Sequence, residues 1–280
     1  MSAMMNGKGK RMTSKQLETL WKSPPSRFRE GKRIARLMGR ASIDFSQIEA
    51  GDRILIAVSG GKDSYTLAWG LKQIEAQIPF DIELIAFNID PGFGGFEQKI
   101  VADCLKVMGH RVETVVENSG TICETKIGKG ESACWLCSRL RRGILYHQAR
   151  KLGCNKIALG HHADDVIETL FLNQLYAGQL KAMPPWLLND EKDLIVIRPL
   201  TYVWEQTIQN FATAMHFPVV SCKCPYETGQ TTSKRAFVKN LLTTLQKEVP
   251  DIKENMLASL TRVRLSHLLD RKLYDFGKIK

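Results

Sequence analysis

Several common signatures are missing from this sequence, and each absence narrows its class. No apolar run approaches the roughly 20 residues needed to cross a bilayer as a helix, so no membrane association is expected. The first residues, Met1 to Lys8, contain no apolar stretch of the signal-peptide type, and the expected compartment is the cytoplasm. There is no internal repeat and no low-complexity tract, which excludes solenoids and collagen-like chains. Only one C-x-x-C occurs, so the paired C-x-x-C of a zinc ribbon is lacking. Gly60 and Gly61 do not complete a Walker A loop, because Ile56 stands where its first glycine is needed. Nor is there a G-x-G-x-x-G, which disfavours a dinucleotide site.

What is present is an ordinary globular composition with a basic excess. Of the 280 residues, 44% are hydrophobic and 25% charged, enough for a large core and against general disorder. Forty Lys and Arg against 29 Asp and Glu give +11, which suggests a polyanionic partner. Seven cysteines without a secretion signal point to metal or redox chemistry before a disulfide framework.

Residues 1–50 form a basic arm. After a helix-breaking Ser23-Pro24-Pro25, the segment 27–40 carries Arg27, Arg29, Lys32, Arg33, Arg36 and Arg40. Phe28, Ile34, Leu37 and Met38 recur through it at helical spacing, giving an amphipathic helix with a basic face. Such a face is either a solvated surface or an arm that grips phosphates.

From residue 51 short apolar runs alternate with helical patterns. Strands are predicted over 53–58, 82–89, 111–116, 156–159 and 194–197, with a short strand end at 219–220. Helices are predicted over 65–77, 97–108, 138–152, 164–176 and 205–216. This alternation predicts an α/β fold with a doubly wound, mostly parallel sheet. The predicted organisation is an arm over 1–50, a catalytic domain over 51–225 and a basic helical extension over 226–280.

Ser59-Gly60-Gly61-Lys62-Asp63-Ser64 lies between the first strand and its helix. Two glycines allow a sharp turn and a close ligand approach. The following helix start offers unpaired N–H groups, Ser59 and Ser64 add hydroxyls, and Lys62 adds charge. An anion such as a polyphosphate fits this set. Further on, Gly160-His161-His162-Ala163-Asp164-Asp165 follows a strand and opens a helix. Asp63 with Asp164 or Asp165 would suit Mg2+, which prefers carboxylate, phosphate and water oxygens. Asp164 also suits a helix N-cap, and both roles can coexist. Cys134-Trp135-Leu136-Cys137 fits a redox dithiol, half a zinc site or part of an iron–sulfur site. Cys222 and Cys224 add one or two candidate ligands, while Cys104, Cys123 and Cys154 read as core packing.

These motifs resemble the PP-loop ATP-pyrophosphatase superfamily, whose members join AMP to a substrate oxygen and then displace it with a nucleophile. The sequence is most similar to the branch that makes 2-thiocytidine in tRNA, over about Asp44 to Phe276. Cys137-Ser138-Arg139-Leu140-Arg141-Arg142-Gly143, Lys156 to His162, Thr169 to Asn173, Met183-Pro184-Pro185 and Ile197-Arg198-Pro199-Leu200 carry that similarity. The resemblance implies the PP-loop (adenine nucleotide alpha hydrolase-like) sheet and ATP-dependent conversion of cytidine 32 to 2-thiocytidine. It implies a C2-O-adenylate displaced by sulfur at a 4Fe-4S cluster.

By the same resemblance, Ser59 to Ser64, Asn88, Ile89 and Gly160 bind ATP, with Mg2+ on Asp63 and Asp164 or Asp165. Cys134, Cys137 and Cys224 hold the cluster. Family members commonly separate the last cysteine pair by two residues and use the second; here only Lys223 intervenes, which leaves Cys222 open. Arg141 stands where thiouridine relatives carry a functional lysine. Arg139, Arg142 and the 27–40 segment are tRNA candidates, and Met183-Pro184-Pro185-Trp186 is either a substrate-facing loop or a plain turn. A cysteine desulfurase as sulfur donor and a homodimer complete the implied partners. The competing readings are uridine thiolation, an amine-ligating tRNA enzyme of the same superfamily, and an RNA-binding protein without catalysis.

Overall fold

The computed structural model describes residues 13–90, 98–116, 134–220 and 234–277, with the backbone alone for 134–139. The chain divides into two compact units. The first comprises residues 1–163 and 184–230, and the second residues 164–183 and 231–280.

The first unit is built on a six-stranded sheet. Its strands are β1 (Arg53–Val58), β2 (Glu83–Asp90), β3 (Arg111–Val116), β4 (Lys156–Ala158), β5 (Trp186–Leu188) and β6 (Ile195–Ile197). They lie in the order β3-β2-β1-β4-β6-β5. Every neighbouring pair is parallel except β5 with β6. The doubly wound parallel sheet expected from the sequence is therefore present. Ile54, Leu55 and Ile56 are buried completely, as a strand covered on both faces must be.

The small edge strand β5 has no counterpart in the sequence reading. Three residues after two prolines carry too little periodicity to be seen. The predicted strand end at 219–220 is not a strand; Val220 N–H donates instead to Gly60 O at 3.0 Å.

Helices α1 (Ser14–Trp21), α2 (Arg29–Asp44), α3 (Lys62–Glu75), α4 (Gln98–Val107), α5 (Cys134–Lys151) and α7 (Glu205–Ala214) flank this sheet, and α6 spans Ala163–Ala177. The arm is well packed: Leu17, Leu20, Trp21, Ile34 and Met38 are buried in the larger core. Around Trp69 of α3 that core is aromatic, with the Phe211 ring 4.6 Å away, which fixes α3 against α7. Along α2, Arg29, Lys32, Arg33, Arg36 and Arg40 are exposed, so the predicted amphipathic helix is observed. A second core on the other sheet face gathers Leu55, Phe87 and Ile157 with Leu145 and Ala149 of α5. Cys104 and Cys154 are buried and free, as expected, while Cys123 lies outside the described residues.

At the amino end of the sheet an ion network around the buried Lys156 and Asp52 ties β1 to β4. Lys156 is 1% exposed, with Nζ 2.8 Å from Asp52 and 2.9 Å from Glu49. Asn155 Nδ2 donates to Asp52 at 2.8 Å. Removing one partner strands a buried charge, so Lys156→Met is expected to cost about 3–5 kcal/mol in a denaturant melt. The double substitution with Asp52→Asn is expected to recover part of that loss.

In the second unit, α8 (Lys234–Glu248) and α9 (Ile252–Ser259) accompany α6. Val238 and Leu242 of α8 are buried. Among the described residues no helix is long and apolar enough to cross a membrane.

Candidate nucleotide site and cysteine positions

Strand order reverses beside β1: β2 and β3 lie to one side, β4 and β6 to the other. The loops leaving the carboxyl ends of β1 and β4 flank that reversal, where open α/β sheets bind ligands.

The loop after β1 is residues 59–61. Gly60 adopts φ +84°, a conformation that side chains strain to reach. Ser64 Oγ donates to Gly61 O at 2.8 Å, closing the turn. Helix α3 begins at Lys62, earlier than the sequence pattern indicates, so Lys62, Asp63 and Ser64 form its first turn. Its N-cap is Gly61, with no side-chain cap bond. Uncapped N–H groups at a helix start are anion-binding groups.

The loop after β4 packs directly on this turn. A Cβ at Gly160 would lie 3.3 Å from the Asp63 carbonyl and from Ser64 N, so only glycine allows this approach without displacement. Leu159 N–H donates to Ile197 O at 3.0 Å, and Ala163 N–H to Val203 O at 2.9 Å, which hold the loop in place. His162 is buried, with Nε2 3.9 Å from Asp63 Oδ1. Lys62 Nζ lies 3.2 Å from Asp63 Oδ1 and 3.2 Å from Glu205 Oε1. Burial alone would push the Lys62 ammonium down, but Asp63 and Glu205 outweigh it and hold its pKa above the usual lysine value.

Asn88, at the end of β2, is buried, and its Nδ2 donates to Val58 O at 2.6 Å. Its Oδ1 has no hydrogen-bond partner among the described residues. Ile89 follows it, half-buried against the second core. The structure thus brings Ser59 to Ser64, Gly160 and Asn88 to one end of the sheet.

Sequence reasoning missed four contacts here. Glu205 reaches Lys62 from α7; in the sequence it looks like any acidic residue that offsets a helix dipole. Arg198 Nε donates to His161 Nδ1 at 3.3 Å, and its Nη1 donates to Pro184 O at 2.6 Å. Gln47 Nε2 donates to Pro185 O at 3.0 Å. The two prolines are thereby tied to strand β6 and to the end of the arm.

Asp164 and Asp165 stand in the first turn of α6, on the second unit. Within that unit Asp164 pairs with Lys253 at 2.8 Å, and Asp165 with Arg235 at 3.3 Å. Arg235 also lies 3.1 Å from Glu168, whose carboxyl burial pushes up despite that guanidinium. None of these partners was foreseen, because only folding brings α8 and α9 to α6.

Positions 134 and 137 are one turn apart at the start of α5, and Arg141 is half-buried a turn further on. Cys222 and Cys224 lie outside the described residues. The described segment nearest them ends at Val220, bonded to Gly60. Thiolates are the usual iron–sulfur ligands, so the chemistry of the donor set fits a cluster. Among the described residues no group of three or more His, Cys, Asp or Glu is assembled to hold a metal ion. A Mg2+ carried with polyphosphate needs only one or two carboxylates, and Asp63 suits that need.

A family model for the PP-loop domain matches residues 32–245, so the chain is a PP-loop protein. The tRNA-cytidine(32) 2-sulfurtransferase of Deinococcus radiodurans is 44% identical over 247 residues, covering 88% of this chain and 82% of that one. The enzyme of that name from Syntrophotalea carbinolica is 45% identical over 246 residues, covering 88% and 95%. The chain belongs to the tRNA-cytidine(32) 2-sulfurtransferase family. Among solved structures, a U34-tRNA thiolase of Methanococcus maripaludis with its 4Fe-4S cluster is similar, with a TM-score of 0.65 at 21% identity. The match covers 95% of this chain and 85% of that chain, a likeness of fold.

Proposed function

We infer that the chain is an ATP-dependent tRNA sulfurtransferase that converts cytidine 32 of the anticodon loop to 2-thiocytidine. Family membership makes it an enzyme of the sulfurtransferase kind. The observation that carries the ATP reading is the close packing of Gly160 on the first turn of α3 at the strand-order reversal.

A carbonyl oxygen at C2 is a poor leaving group, and transfer to the α-phosphate of ATP turns it into AMP, a good one. The N–H groups of residues 60–64 and the Lys62 ammonium bind the phosphates. Asp63 would hold Mg2+, whose charge would offset that of the departing pyrophosphate. Asn88 Oδ1 is a buried acceptor suited to the amino group of adenine, and the neighbouring Ile89 supplies apolar surface. By the family resemblance Asp164 or Asp165 would add a second carboxylate for the metal, in exchange for its ion pair with Lys253 or Arg235. Arg141, on α5, neutralises charge at the reacting base.

Cys134 and Cys137, with Cys224 or Cys222, would hold a 4Fe-4S cluster. Helix α5 leads down to the amino end of β4, so in a βαβ crossover its start lies toward the carboxyl ends of the strands. The hydrogen bond of Val220 to Gly60 holds the last described residue before Cys222 at that end. When bound, the cluster supplies an iron that activates sulfur for attack at C2. Sulfur comes from a cysteine desulfurase as a persulfide, and an external two-electron reductant brings it to the sulfide level found in 2-thiocytidine. The exposed cations of α2, with Arg139 and Arg142, grip tRNA phosphates, which makes binding weaken steeply with salt. The protein acts in the cytoplasm as a homodimer.

Nucleoside mass spectrometry on tRNA from a strain lacking the gene tests this reading. Selective loss of 2-thiocytidine, restored by the wild-type gene and not by Asp63→Asn, is the expected result. Loss of a 2-thiouridine instead would move the substrate to uridine. Persistence of every thionucleoside would overturn thiolation.

A further inference from the structure

The Lys62–Glu205 pair has no place in the chemistry described above. Glu205 opens α7, 143 residues away from Lys62, and α7 is locked to α3 through Trp69 and Phe211. The pair therefore meets by design of the core. The pair is partly open to solvent: the side chains are 21% and 29% exposed. Ion pairs this accessible contribute on the order of 0–1 kcal/mol to stability, too little to explain the contact as a brace.

The electrostatics of the loop suggest another use. Lys62 occupies the first turn of α3, the end of a helix that disfavours a cation. In the structure two carboxylates at 3.2 Å compensate it. With nucleotide, a polyphosphate takes that role. Two carboxylates and a polyphosphate around one ammonium would be strongly repulsive. Asp63 is the carboxylate assigned above to Mg2+, so Glu205 is the one whose charge a polyphosphate would replace at Lys62.

We propose that Glu205 is a stand-in for the phosphates: it holds Lys62 over the loop in the empty site, competes with entering nucleotide, and retakes Lys62 as pyrophosphate leaves. The proposal rests on the nucleotide reading above. It makes Glu205 a positioning residue for Lys62 rather than a ligand of ATP. A competitor of this kind lowers affinity for substrate and product alike, and so speeds release.

The test is calorimetric titration of the full-length protein with α,β-methylene ATP and, separately, with inorganic pyrophosphate, both with Mg2+. Glu205→Gln keeps the size of the side chain and removes its charge. It is expected to tighten both ligands by roughly threefold to tenfold, with an unchanged melting temperature. In tRNA thiolation the same variant is expected to lower the KM for ATP and to lower kcat, as product release slows. Glu205→Asp, which keeps the charge, is expected to lie between. A brace would move the melting temperature and leave affinity alone. Weaker binding in Glu205→Gln would make Glu205 a ligand of nucleotide or metal, and unchanged binding would make it a bystander; either result overturns the proposal. Failure of wild-type protein to bind either ligand would sink the nucleotide reading and the proposal together. Binding and tightening without thiolation would keep the proposal and reject only the reaction.

Discussion

Lys62→Ala is expected to lower kcat/KM for ATP by roughly 10²–10³ in a thiolation assay, the scale seen when one preorganised electrostatic group is removed. Lys62 stands on the first turn of α3, beside N–H groups that lack a side-chain cap. It is the one cation of the 59–64 loop, and its charge must offset charge that develops on the leaving pyrophosphate. The fold should survive. Lys62 is not in either core, and its ion pairs with Asp63 and Glu205 are partly solvated. A near-normal melting temperature with lost nucleotide binding is therefore the expected pattern. Activity within threefold of wild type would remove Lys62 from the phosphate site.

The second large effect is expected at the cysteines. Cys137→Ala should abolish the cluster and thiolation together, because two remaining thiolates cannot retain iron and sulfide in a three-cysteine site. Nucleotide binding should persist, since the loop is carried by β1 and α3 while Cys137 is carried by α5. Iron and acid-labile sulfide content report the first, and α,β-methylene ATP titration the second. A variant that keeps its iron would exclude Cys137 as a ligand. The same measurement on Cys222→Ala and Cys224→Ala decides between them: the position whose loss removes iron is the third ligand.

These two sites differ in how they can be known. The loop is legible because its chemistry is local. Strand, glycines, lysine and helix are consecutive, and the anion site is made by their backbone. Gly160 was legible only as part of a motif; the reason it must be glycine is its 3.3 Å approach to Asp63 and Ser64, a contact across nearly a hundred residues of chain. Glu205 was not legible at all. An acid in the first turn of a helix has an ordinary local explanation, and nothing near it in sequence points to Lys62. The same holds for Arg198 and His161, and for the pairing of Asp164 with Lys253. Lys156 opens a strand in the sequence as a flanking charge would. Only the pairing of β1 with β4 turns it into a buried cation between Asp52 and Glu49.

Local hydrophobic period and turn chemistry were enough to determine that this chain is an α/β protein with an anion loop after its first strand. Those signals act over a few residues, where the chain has no alternative partners. The strand order, the edge strand β5, the approach of Gly160 and the counter-ion of Lys62 were decided by tertiary structure. Each depends on which distant surfaces bury together, and burial is a property of the whole core rather than of any segment.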